Sequence, residues 1–91
     1  MALYLISYDL RKARNYQPVY DQLAKWGAVR VLESLWLTCV ALAANQVRDV
    51  LGALVDADDG VIVIELKAGS TWSGLRAKPP GIEWLRQNIL A

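Results

Sequence analysis

The sequence predicts an α+β sandwich of element order βαββαβ with an extra C-terminal helix. Three observations predict it. Two stretches carry apolar residues at the i, i+3, i+4, i+7 spacing of an amphipathic helix. Four short apolar runs alternate with them in the order that makes two βαβ halves. The chain, at 91 residues, has room for one domain and no more.

The elements follow in order. Ala2 to Tyr8 is apolar on both faces and reads as the first strand. Asp9 to Asn15 is a polar loop carrying Arg11, Lys12 and Arg14. Tyr16, Val19, Tyr20 and Leu23 then form one helical stripe. Asn15 is placed to cap this helix, Pro18 is tolerable in its first turn, and Gly27 is its αL stop. Val29 to Glu33 and Leu35 to Leu42 are the second and third strands, joined tightly around Ser34. The second helix runs over about Asn45 to Val55, with Val47, Val50, Leu51 and Leu54 as its stripe. Asp56 to Gly60 is a turn, and Val61 to Leu66 is a β-branched fourth strand. Lys67 to Pro80 is rich in Gly, Ser and Pro and reads as a loop. A short terminal helix presents Ile82, Leu85 and Ile89. The core is thus 2–66, with a loop and helix over 67–91.

Right-handed crossovers make this order a ferredoxin-like βαββαβ sandwich with an antiparallel sheet of spatial order 4-1-3-2. The second strand, with Arg30 and Glu33, falls at an edge, where charge is tolerated. Both main helices cover one face of such a sheet. The other face should then be polar, yet Leu3 and Leu5 oppose Tyr4 and Ile6, and Ile62 and Ile64 oppose Val61 and Val63. The hydrophobic fraction of 55% is likewise high for so short a chain. A second copy of the chain, in a homodimer, is the expected cover, with the terminal helix covering part of the face in cis or across to the partner.

Composition narrows the chemistry. The formal charge of +1 gives no overall basic field, so a phosphate-bearing partner depends on local patches. Histidine is absent, which removes the usual general base and the usual zinc ligand. The single cysteine, Cys39, has no internal disulfide partner. With no signal-peptide pattern and no bilayer-length apolar run, the expected setting is the cytoplasm, with no membrane partner.

Asp9 is the sharpest candidate site residue. A carboxylate closing an apolar central strand is costly to bury unpaired. It either pairs with Arg11 or Arg14, caps a turn, or faces its own copy across a twofold axis, where a divalent cation would relieve the repulsion. Ser34 is a candidate for positioning phosphate or water, or is a hairpin residue. Arg11, Lys12, Arg14 and Arg30 are candidate phosphate contacts, or a solvated basic loop. Tyr8, Tyr16 and Tyr20 can stack on bases or pack in the core. The Asp56, Asp58, Asp59 cluster lacks the full loop and terminal Glu of an EF-hand and reads as a turn. Trp72 and Trp84 read as anchors for the tail.

The segment Leu3-Tyr4-Leu5-Ile6-Ser7-Tyr8-Asp9-Leu10 resembles the opening strand of the CRISPR-associated protein two family (Cas two). Arg30-Val31-Leu32-Glu33-Ser34-Leu35-Trp36 resembles that family's Arg-Val-x-x-Ser-aliphatic-aromatic motif, and the acidic turn before the fourth strand also matches. The likeness covers about Ala2 to Leu66. It implies a homodimer holding Mg²⁺ or Mn²⁺ between the two copies of Asp9. The activity it implies is metal-dependent endonuclease cleavage of RNA or DNA, with Asp9 and Ser34 catalytic. VapD-type toxin endoribonucleases are similar in fold. Leu32, Glu33 and Leu37 depart from the family pattern, and the tail does not resemble its C-terminal strand, so an integrase partner is not expected. The alternative is a non-catalytic dimeric module binding nucleic acid or protein, or a toxin–antitoxin component.

Overall fold

The computed structural model describes residues 1–12 and 15–91. The elements are β1 (Ala2–Asp9), α1 (Gln17–Lys25), β2 (Val29–Leu32), β3 (Leu35–Val40), α2 (Ala44–Gly52), β4 (Gly60–Leu66) and α3 (Pro79–Asn88). The four strands form one antiparallel sheet in the order β2-β3-β1-β4, which is the expected order.

Local signals set most boundaries. The Asn15 side chain accepts a bond from the Gln17 N–H at 2.9 Å, and Pro18 sits in the first turn of α1, where its missing N–H costs nothing. Gly27 ends that helix at φ +67°, a conformation that L side chains rarely adopt. At α2 the Gln46 side chain accepts from the Ala43 N–H at 2.8 Å. The terminal helix differs from expectation. It begins at Pro79 rather than after Pro80, because two prolines preset φ for a first turn whose N–H groups need no partner.

The helices α1 and α2 cover the front face. There Tyr4, Ile6, Val19, Leu23, Val47 and Leu51 close into a buried core. Each such side chain taken from water contributes about 1.5–3 kcal/mol. Two polar groups inside it are satisfied. The Tyr4 hydroxyl donates to the Leu42 carbonyl at 2.6 Å, and the fully buried Thr38 donates to the Trp26 carbonyl at 2.9 Å.

The back face is half covered. The helix α3 lies against β2, with the closest approach at Gly81, where an added Cβ would stand 2.5 Å from Val31 Cγ2 and 2.7 Å from Val31 Cα. The Lys78 N–H also bonds the Val31 carbonyl at 2.8 Å. Trp72 anchors the loop before α3 by donating to the Leu90 carbonyl at 2.8 Å. Between this tail and the sheet is a mostly apolar cavity of about 620 Å³, bounded by Leu5, Leu37, Leu66, Trp72, Ile82 and Leu85. Beyond it, on β4, Ile62 and Ile64 are 54% and 46% exposed. The terminal helix thus covers the β2 side in cis and leaves the β4 side open.

Candidate functional site

The candidate residues gather at one end of the sheet. Asp9 closes β1, Gly60 opens β4 opposite it, and the Glu33–Ser34 turn joins β2 to β3 on the other side. The Tyr8 N–H donates to the Ser34 carbonyl at 3.2 Å, so Asp9 and Ser34 share that end.

There the acids and cations pair within the chain. Arg11 Nε meets Asp9 Oδ2 at 2.9 Å, with side chains 56% and 69% exposed. Arg11 also donates from Nη1 to the Asp58 carbonyl oxygen at 2.7 Å. Lys12 Nζ meets Asp58 Oδ2 at 2.8 Å. Asp59 takes no part in display. Its carboxylate accepts from the Arg11 N–H at 2.7 Å, the Tyr16 hydroxyl at 2.7 Å and the Asp56 N–H at 2.8 Å. The acidic segment is therefore a turn with a structural carboxylate, as its sequence suggests. Tyr16, expected on the helix stripe, instead precedes α1 and is buried. Burial, and then its bond to the Asp59 carboxylate, raises its pKa above the usual tyrosine value. Arg14 lies outside the described residues.

Arg30 belongs to a different arrangement. Its guanidinium lies 4.6 Å from the Trp36 ring centre and 5.3 Å from that of Tyr20. One of its nitrogens donates to the Tyr8 hydroxyl at 3.2 Å, and Trp36 Nε1 donates to the same oxygen at 3.0 Å. Glu33 approaches from outside at 3.9 Å. Burial pulls the Arg30 pKa down, but the Tyr8 hydroxyl and nearby Glu33 outweigh it and the net shift is upward. Arg30, Tyr8 and Tyr20 are thus packed on one another rather than presented with the Asp9 corner. The part of Trp36 is absent from the sequence-based expectations. The alternation of β3 could have shown it, since Trp36 pairs with both Ile6 and Arg30 on the front face.

Within one chain Asp9 brings a single carboxylate toward any divalent cation. Oδ2 is held by the Arg11 guanidinium, and among the described residues no three His, Cys, Asp or Glu side chains converge as ligands. No helix among them is long and apolar enough to cross a membrane. No protein-family model matches the chain, so its reading rests on the paired corner at Asp9 and the half-open back of the sheet.

Proposed function

We propose that this chain is a Cas two-like module that works by binding and self-association rather than by cutting. The reading is supported above all by the Arg11–Asp9 contact, which joins the central acid to a cation of its own subunit. Lys12 on Asp58 does the same beside it, so neither the acid nor these two cations is offered free. The apolar surface open at Ile62 and Ile64 is where the chain has most to gain by association. In this reading the module is a homodimer with a ferredoxin-like fold.

A second reading, a metal-dependent endoribonuclease or a toxin of that chemistry, is favoured by one observation. Asp9 stays two-thirds exposed at the same sheet end as Ser34. An exposed ion pair is worth about 0–1 kcal/mol, so it can be displaced. In that case Asp9 of two copies would hold Mg²⁺ or Mn²⁺, and the ion would supply an activated water. The part of this chain is to bring the acid, Ser34 and the Arg11–Lys12 loop to one edge.

The test is incubation of purified protein with single-stranded RNA and with duplex DNA, in Mg²⁺, Mn²⁺ or chelator, beside Asp9→Ala and Arg11→Ala. The binding reading expects the same background in all conditions, including Arg11→Ala, where Asp9 is released. Metal-dependent cleavage that Asp9→Ala abolishes would overturn it.

A further inference from the structure

The cavity behind the sheet is a built feature of the fold. Its floor is the back of the sheet, at Leu5, Leu37 and Leu66, and one wall is α3, at Ile82 and Leu85. The segment 67–77 supplies the remaining wall. Three hydrogen bonds pin this segment. The Gly69 N–H donates to the Ile89 carbonyl at 2.7 Å, Trp72 Nε1 to the Leu90 carbonyl at 2.8 Å, and the Lys78 N–H to the Val31 carbonyl at 2.8 Å. All three run to α3 and its end or to β2, and none to the floor. At Gly74 the segment closes on α3, where an added Cβ would stand 3.2 Å from Ile82 Cδ1. The volume of about 620 Å³ is thus held open by the backbone, and it falls within the roughly 300–1,000 Å³ of small-molecule sites.

The lining sorts by chemistry. Its charged residues are Glu65 and Lys67. Glu65 pairs with Tyr4, whose side chain is in the front core, so the alternation of β4 turns the Glu65 carboxylate to the front, away from the cavity. Lys67 follows Leu66, the last paired residue, and makes no ion pair among the described residues. Ser70, Thr71 and Ser73 also line the cavity, and their hydroxyls bond to no described group. One cation and three hydroxyls therefore stand together on the 67–77 side of a floor of leucines. Leu75, 76% exposed, carries the apolar lining out to the rim.

We infer that this cavity binds a small amphiphile with one carboxylate and a linear apolar chain, of the kind of a medium-chain fatty acid free in solution. The carboxylate meets Lys67 and the hydroxyls beside it, and the chain lies on Leu5, Leu37 and Leu85. Other occupants fit worse. Water finds few partners on a floor of leucines. A nucleotide or sugar sets polar groups against that floor without hydrogen bonds. A cation meets Lys67, and a wholly apolar molecule leaves the one charge on the wall unmatched.

This site goes beyond the binding reading and is separate from it. Neither the Asp9 corner nor the open isoleucines Ile62 and Ile64 belong to the lining.

The experiment is isothermal titration calorimetry of the full chain with decanoate, decanol and decyltrimethylammonium, each far below its micelle range. Decanoate should bind at one per chain. Decanol, with the same chain and no charge, should bind on the order of tenfold more weakly, and the cation more weakly still. Lys67→Glu changes an exposed side chain and leaves the fold intact; it should weaken decanoate on the order of tenfold and leave decanol unchanged. Leu85→Phe, which fills the cavity from the α3 wall, should weaken both, whereas Ile64→Ser on the open face should weaken neither. No binding of decanoate, equal binding of the three probes, or full affinity in Lys67→Glu overturns the inference. So does a loss seen in Ile64→Ser and not in Leu85→Phe, which puts the amphiphile on the open face. Sedimentation with phosphatidylglycerol vesicles without binding of free decanoate overturns it in favour of a membrane surface, and decanoate that splits a dimer overturns it in favour of a second copy. None of these readouts uses nucleic acid or the Asp9 corner, so failure here and failure of the binding reading are told apart.

Discussion

The Tyr16 hydroxyl donates to Asp59 Oδ2 at 2.7 Å, joining residues 43 positions apart in the chain. Through this bond the entrance to α1 is tied to the turn that launches β4. The same carboxylate also fixes the Arg11 and Asp56 backbone, so one side chain sets the geometry of the whole Asp9 corner. Asp59→Ala should therefore cost about 2 kcal/mol, because it removes the acceptor of three hydrogen bonds. Urea unfolding with an unchanged slope and a lower midpoint is the expected result.

The Tyr16 pKa is raised in the folded state, by burial first and by the Asp59 carboxylate second. The neutral hydroxyl is the form that the fold favours. Its contribution is thus complete below the unfolded tyrosine pKa of about 10 and is lost as pH rises through the higher folded value. Tyr16→Phe should be less stable than wild type near neutrality, and the gap should narrow in strong alkali. Urea midpoints of the two proteins at about pH 8 and about pH 11 check this; a gap independent of pH would contradict it.

The Arg11–Asp9 pair is more than half exposed on both sides, and screening by solvent leaves it little to contribute. Asp9→Ala and Arg11→Ala should each change stability by less than about 1 kcal/mol. Thermal melts of both variants at low and high salt measure it. A large loss from either would mean that the corner depends on the pair as it does on Asp59.

Docking of α3 depends on the missing side chain at Gly81. A methyl group there would meet Val31 at 2.5 Å, and the second contact, at 2.7 Å, is to backbone that cannot swing aside. Gly81→Ala should cost about 1–3 kcal/mol and loosen the tail. Limited proteolysis should then cut within 67–78 while leaving a fragment containing the four strands.

Arg30→Lys keeps the charge but loses the flat guanidinium that stacks against Trp36 and Tyr20. The expected loss is about 1 kcal/mol, with a weaker near-ultraviolet circular dichroism signal from the aromatic cluster. An unchanged spectrum would show that the stack does not order those rings.

Much of this molecule follows from its sequence alone. The spacing of Tyr20 and Leu23, of Val47 and Leu51, and the β-branched runs fix which segments are helix and strand, because periodicity reports directly which side of an element meets the core. Charge at Arg30 marks β2 as an edge strand, although Glu33, read with it, falls in the turn after β2, and alternation shows that both faces of the sheet are apolar. What only tertiary structure decides is pairing between distant residues. Asp9 had Arg11, Arg14, a turn or a metal open to it, and only the folded chain sets Arg11 on it and Asp59 on Tyr16. The aromatic stack on Arg30 is legible only in the fold for the same reason: its neighbours Tyr8, Tyr20 and Trp36 come from three different elements. Polar side chains have several partners of near-equal energy within reach, and their choice is made by the backbone that the apolar core has already put in place.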